Sequence, residues 1–531
     1  SNEQMKKFRS PFNTEFNSQA DIANKGSYEE RNTQNLNYDG DFSLTYGKLF
    51  NEKHMVNVVG GMRLSQNGSN NSAYKVQGFI DDEFSNPAFA LGYQKDGNAT
   101  YQDSKKRAVS YYLNFGYAYD DRYLLDVNYR SDGSSVFGSD RQFTNTWSVG
   151  LGWNIHKEAF FSDIEGISLL KLRASIGNPG NQNFDDYIST RIYSYNTDNM
   201  NIFGSSAIVS NLGNRNLEWQ KTLDRNIGFD IIFLDNRLRV NFDYFNKRTD
   251  PLLVQIGTAS STGVKTLPRN VGKQITEGIT LTMNYSIIRR EDMFWSVNMN
   301  LRHQTSEYKE VSEVLTKYNL DNRNRNLTRY YDGGSPSDLW AVRSCGIDPA
   351  IGREIFLDKN GEQTFVHNYD DEVVVGNSDP KVEGVIGTSF YYKGFSASIN
   401  LRYRLGGQIF MQTLYDKVEN LSSSKKWENL DKRALYDRWK QPGDQAKFKS
   451  IASSEVTPIS SRFVEDNNVL SGESISLGYE STAPWLKHIG ASSMSVRAYM
   501  NDIFRISTVK NERGLSYPFA RSVSFSLGVT F

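Results

Sequence analysis

Apolar and polar residues alternate with a period of two along most of the chain, the pattern of β-strands that show one face to an apolar environment. Val109, Tyr111, Leu113, Phe115, Tyr117 and Tyr119 alternate with Ser110, Tyr112, Asn114, Gly116 and Ala118. After Asp120-Asp121-Arg122 the pattern resumes, with Tyr123, Leu125, Val127 and Tyr129 set against Leu124, Asp126, Asn128 and Arg130. Ile279 to Ile287, Trp295 to Leu301 and Phe395 to Tyr403 repeat it. Fifteen strands are predicted, near 31–46, 53–67, 106–119, 122–133, 143–155, 169–177, 219–233, 237–249, 275–288, 293–307, 381–392, 395–410, 465–480, 491–504 and 517–531.

A soluble sandwich also alternates, with its apolar face turned inward. Two features favour a transmembrane barrel. Many runs reach about ten residues, against the usual five or six of a soluble strand. The connections also alternate between tight and long: Asp120-Asp121-Arg122, Leu234 to Arg237, Arg289 to Asp292 and Lys393-Gly394 are turns. Polar segments near 68–105, 178–217, 250–273, 308–380 and 411–463 are long. Short periplasmic turns and long external loops are the habit of outer-membrane barrels. The fold class expected is therefore all-β, a transmembrane antiparallel barrel. An open wall of fifteen strands leaves two unpaired edges in lipid, so the remaining strands are expected from elsewhere.

Alternation also assigns faces. Asp126, Arg130, Lys171, Arg173, Asp230, Arg239, Asp243, Arg302, Arg402, Arg404 and Arg497 fall on the polar face. Ionisable groups at membrane depth are tolerated only toward water or packed protein, so these line the lumen. They suit either a transport path or a plug interface, and the plainer reading of each is a solvated wall. At the C-terminus Val523, Phe525, Leu527, Val529 and Phe531 share one face. A strand closed by a terminal aromatic is similar to the assembly signal of outer-membrane barrels.

Composition narrows the classes. The 531 residues carry 61 basic and 61 acidic side chains, with no basic stripe to neutralise phosphates, so no nucleic-acid partner is expected. No run reaches the roughly 18 apolar residues of a membrane helix. A mean hydropathy of −0.58 fits a barrel, whose strands give only alternate residues to lipid. Tyr 30, Phe 31 and Trp 8 suit strands and interfacial girdles. Cys345 is the only cysteine, and the five histidines lack zinc spacing, so neither a metal nor a cofactor is expected. Ser1 to Lys7 has no signal-peptide core, so an export signal is expected elsewhere.

Several segments resemble the SusC/RagA family of TonB-dependent transporters of Bacteroidetes. They include Arg122 to Leu125, Tyr129-Arg130-Ser131-Asp132-Gly133-Ser134-Ser135-Val136-Phe137-Gly138, Trp147 to Gly150 and Gly177-Asn178-Pro179-Gly180-Asn181-Gln182. Asn214 to Thr222, Asn226 to Asp230, Asn270-Val271-Gly272-Lys273, Arg462 to Asp466 and Tyr517-Pro518 continue the series in order. The resemblance implies a barrel of about 22 strands with a plugged lumen. Residues 1–30 would be a strand remnant or the external loop before the first counted strand, and 31–531 the C-terminal portion of the barrel. It further implies a plug and first strands on another chain or fragment, a SusD-like lipoprotein lid, the TonB complex reached through the missing part, and a glycan or peptide substrate.

Within the long loops, Tyr330, Tyr331 and Trp340 are ligand candidates, suited to stack on sugar rings or pack on peptide side chains. Packing within the loop is their plainer reading. Asp370-Asp371-Glu372 lacks the spacing of a calcium loop and reads as a solvated acidic run. Cys345 has no evident histidine partner, and no Ser-His-acid spacing stands out, so no enzyme is expected. The leading expectation is an active outer-membrane nutrient importer. A siderophore receptor and a passive structural or adhesive barrel are the alternatives.

Overall fold

The computed structural model describes the chain except residues 14–23, 95–96, 136–141, 162–163, 182–190, 203, 215, 219, 259, 312, 324, 326, 422–429, 454 and 511–519. Its frame is one 18-stranded sheet among the described residues, made of sixteen long strands and the two-residue segments Gly92–Tyr93 and Gly180–Asn181. The long strands are β1 (Asn2–Arg9), β2 (Ser27–Phe50), β3 (His54–Gln77), β4 (Thr100–Tyr119), β5 (Tyr123–Ser134), β6 (Phe143–Asn154), β7 (Ile167–Asn178) and β8 (Gln220–Phe233). The rest are β9 (Leu238–Thr249), β10 (Lys273–Arg289), β11 (Met293–Lys309), β12 (Val382–Tyr392), β13 (Phe395–Leu405), β14 (Val469–Ser481), β15 (Ser493–Ser507) and β16 (Val523–Thr530). Each pairs antiparallel with the next, and no pairing joins β1 to β16 among the described residues. The result is an open meander.

The predicted strands are present, with changed ends. Residues 2–9, expected to be a strand remnant or a loop, form β1 against the outer end of β2, from Asn2↔Gln34 to Arg9↔Ser27. The segment 68–105, read as loop, is strand at both its ends: β3 continues to Gln77 and β4 begins at Thr100, with Gly68↔Lys105 and Ala73↔Thr100 in register. These residues are polar on both faces because they continue the ladder beyond the hydrocarbon. At about 3.4 Å per residue, 24 residues reach roughly 80 Å, far more than the bilayer requires. The final strand is shorter than predicted, and Tyr517-Pro518 lies outside the described residues, as do Val136 to Gly138 and Gln182.

Turn chemistry explains the tight end. Asp120 and Asp121 both adopt positive φ (51° and 50°), and Arg122 N–H donates to Tyr119 O at 2.8 Å, closing a primed hairpin that suits the twist of paired strands. Lys393-Gly394 repeats it with φ of 45° and 89°. Gly394 is needed there twice over, since a Cβ would also strike the Glu480 carbonyl.

At the opposite end the two longest excursions fold together. Residues 310–381 hold helix α1 (Glu313–Asn322) and a small sheet built from Asp338–Ile347, Glu354–Leu357, Gln363–Thr364 and Glu372–Asn377. Residues 406–468 dock on it: Val342 bridges Ser460, and Ser344 N–H donates to Ser461 Oγ at 2.9 Å. Val418, Phe448 and Phe463 form a buried core beneath.

Candidate functional site

The polar faces of β2 to β11 enclose a cavity of about 1070 Å³ lined by Arg63, Arg130, Arg173, Lys247 and Arg302 with Asp41, Asp224 and Asp243. Register builds its charge pairs. Arg173, Gly228 and Asp243 lie side by side on β7, β8 and β9. With no side chain at Gly228 between them, the Arg173 guanidinium comes within 3.0 Å of Asp243 while binding Asp230 through two bonds of 2.9 Å. Asn241 Nδ2 donates to the same Asp230 carboxylate at 2.6 Å. The bidentate geometry fixes the arginine, and its partial exposure limits the net stabilisation.

Two strands over from β7, Arg130 on β5 donates to Asp132 Oδ1 at 2.6 Å and to Ser110 Oγ at 2.8 Å, and the Ser110 hydroxyl donates to Asp132 at 2.5 Å. Asp132 and Ser110 are buried, so the triad satisfies a carboxylate held away from water. Arg63 pairs with Asp39 at 2.7 Å, and Tyr112 donates to Asp41 at 2.8 Å.

Of the charges expected on the polar face, Arg130, Arg173, Asp243 and Arg302 line this cavity, and Asp230 is tied into it through Arg173. Asp126 and Arg239 stand nearer the tight-turn end, at Gly150 and Asn284 in the register. Arg402 and Arg404 belong to another stretch of wall, pairing with Glu473 (3.2 Å) and Glu383 (3.4 Å). Arg497 lies on β15, opposite Gly478. Arg63, Lys247, Asp41 and Asp224 also line the cavity but were not singled out by sequence, although the same alternation marks them.

In the outer unit, Tyr330 packs on Tyr308 (ring centroids 4.9 Å apart) and Tyr318 (5.4 Å), over a core of Leu252, Val254 and Leu315. Its ring is committed to the fold. Tyr331 is exposed and stacks on Trp340 at 4.5 Å. The acidic run needs correction. Glu372 is not solvated but grips Arg329, which is 1% exposed, through bonds of 2.8 and 2.9 Å. Arg329 also donates to the carbonyls of Arg323 and Thr328, so the buried cation has partners on several sides. No group of metal-ligating side chains occurs among the described residues.

A second buried network joins the two excursions. Arg462 reaches Glu354 (2.9 Å) and Glu419 (2.7 Å), Thr457 donates to Glu419 (2.8 Å), and Ser460 donates to Glu354 (2.6 Å). Burial pushes the Arg438 guanidinium and the Lys449 ammonium down from their ordinary pKa values, with Glu419 opposing both. His367, edge-on to Phe356 and Tyr369, is likewise held below its usual value by burial.

Two of the resemblance segments touch. Asn270 Nδ2 donates to Glu218 O at 3.0 Å, and Glu218 N–H returns a bond of 2.9 Å to Asn270 Oδ1. Leu217 between them is fully buried. Arg462 and Phe463 of a third segment supply the buried ion network and the loop core. These residues thus hold the loops to one another.

The family description TonB dependent receptor-like, beta-barrel matches residues 4–421. The chain belongs to the TonB-dependent receptor family. Relatives include TonB-dependent receptor P39 of Formosa agariphila, 26% identical over 92% of this chain and 51% of that protein. Another is TonB-dependent receptor SusC of Bacteroides thetaiotaomicron, 25% identical over 80% of this chain and 44% of that protein. The structure of the RagAB peptide transporter superposes with a TM-score of 0.82 at 19% identity, covering 96% of this chain and 56% of that one. The likeness to SusC and RagA read from the motifs is thereby met. The chain spans about half the length of these relatives. As a TonB-dependent receptor wall it belongs to the bacterial outer membrane, in a family of receptors rather than enzymes.

Proposed function

We propose that this wall serves an active nutrient importer of the SusC type, not an enzyme. Oligosaccharides or oligopeptides are captured at the external mouth under a SusD-like surface lipoprotein and drawn through the lumen by TonB-derived energy. The plug and the remaining strands come from polypeptide outside this chain, which forms the C-terminal part of the barrel. The observation that carries the reading is the match in fold to the RagAB transporter over 96% of the chain, joined to a charged inner face. That face suits a hydrated cargo path or a plug surface. Tyr331 and Trp340 offer an exposed aromatic step to cargo or lid.

The test is purification from the native outer membrane, with mass spectrometry of copurifying chains and bound small molecules. A plug-bearing polypeptide, a lipoprotein lid and a glycan or peptide are expected. A barrel with neither plug nor lid overturns the proposal, and a bound iron chelate would turn it to siderophore uptake. Tyr331→Ala is expected to lower ligand retention without altering the melting of the wall.

A further inference from the structure

The membrane-facing side of β10 to β14 contains a hollow of about 550 Å³ close to the tight-turn end. Register explains it. Trp295, Phe390, Ala397 and Leu477 form one row across β11, β12, β13 and β14, and the next row is Val297, Thr388, Ile399 and Ile475. Ala397 and Thr388 are short among large neighbours, so they form the floor. A register shift between Ser286 and Ile288 sets Ile288 opposite Trp295, adding to the wall. Its polar groups are satisfied internally: Trp295 Nε1 donates to Thr388 Oγ1 at 2.9 Å, Thr388 Oγ1 donates to Ser296 O at 3.1 Å, and the Ser398 hydroxyl bonds the Ser476 hydroxyl at 2.7 Å. These bonds keep the Thr388 hydroxyl tolerable in hydrocarbon and fix the indole as a rigid side of the hollow.

Below lies an aromatic row of Tyr392, Phe395 and Tyr479, and then the turns. Arg289, Arg290 and Lys393 are exposed there, and Lys393 N–H donates to Asp292 O at 3.0 Å, which joins the two turns. Glu291, Asp292 and Glu480 are exposed on the same rim. An apolar groove on a lipid-facing wall, ending at a rim of mixed charge, matches a lipid with a phosphate and an amine.

We propose that this hollow is a binding site for a zwitterionic aminophospholipid of the leaflet that the tight turns face. One acyl chain lies over Ala397 beside Trp295. The phosphate meets Arg289, Arg290 and Lys393, and the ammonium meets the rim carboxylates. Basic clusters next to membrane spans recognise lipid headgroups in this way.

The test uses the receptor as extracted from its own outer membrane, with all copurifying chains, and counts bound phospholipid by native mass spectrometry. Phosphatidylethanolamine is expected to remain on the barrel. Ala397→Phe fills the hollow and is expected to cut retention roughly tenfold, as losing a few methylene contacts requires. Ala397→Leu gives a milder filling if the first variant assembles poorly, and heat-resistant migration on gels reports assembly for both. Replacing Arg289, Arg290 and Lys393 together with glutamine is expected to reduce retention to a similar degree. Wild-type retention in the filled variants overturns the proposal, as does retention unchanged by the glutamine replacements. Preferential retention of phosphatidylglycerol or lipopolysaccharide, or a second receptor copy on this face, also overturns it.

Discussion

At the scale of single residues, glycine and buried charge do more than composition suggests. Gly228 is the space through which Arg173 meets Asp243, and a Cβ there would lie 2.6 Å from Phe242 O as well as striking the Asp243 carboxylate. Gly150, by contrast, meets only Asp126 Cβ at 3.8 Å. Gly228→Ala is therefore expected to cost about 1–3 kcal/mol through overpacking, and Gly150→Ala to cost little. Heat-modifiability measured on both variants checks the contrast. Arg329→Met leaves Glu372 buried without its partner and is expected to loosen the outer unit by about 3–5 kcal/mol. Hydrogen exchange should rise across 323–377 while the wall strands stay protected. Sequence could place Arg130 on the polar face, because Tyr129 beside it marks the other. It could not show that Asp132 and Ser110 would meet Arg130, nor pair Arg329 with Glu372 43 positions away. Those contacts depend on register and loop folding, and neither leaves a periodic trace.

At the scale of elements, the strands were legible wherever lipid imposes alternation. Legibility failed at Gly68–Gln77 and Thr100–Lys105, where β3 and β4 run on into water and both faces are polar. Cross-strand hydrogen bonds hold most of that extension, with a small cluster of Tyr28, Val76 and Phe79 at its tip, so its Asn- and Ser-rich sequence resembles a loop. The last strand shows the opposite limit. Phe525, Leu527, Val529 and Phe531 were recognisable as one face, and Phe525 and Phe531 are 76% and 83% exposed on it. Exposure on this scale is costly in water and favourable against acyl chains. We expect that removing Phe531 lowers the folded, heat-resistant fraction severalfold at early times after induction, with little change in the melting of barrels already assembled. An equal loss of melting stability would mean that Phe531 packs the wall rather than guides its assembly.

At the scale of the whole molecule, a rigid wall carries an outer unit whose two excursions share a buried ionic network. Their union is expected to depend on pH through His367. Burial holds its imidazole below the ordinary pKa of 6.5, opposed by a backbone hydrogen bond at Ile459 and the charges of Glu354, Glu372 and Asp371. The unfolded unit therefore takes up a proton at a higher pH than the folded one. Above pH 6.5 the histidine adds no pH dependence. As pH falls from 6.5 toward the lowered folded value, stability is lost progressively, and below that value this contribution stops changing. The wall strands make none of these contacts, so acid should act on the outer unit first. Hydrogen exchange at pH 7.5 and 5.5 is expected to show faster opening of 354–372 and 449–463 at the lower pH. His367→Phe should flatten that difference because the ring stays apolar at both values. An equal acid effect in the variant would assign the opening to the carboxylates around Arg462. That outcome would make the ion network, rather than the histidine, the pH-sensitive joint between the excursions.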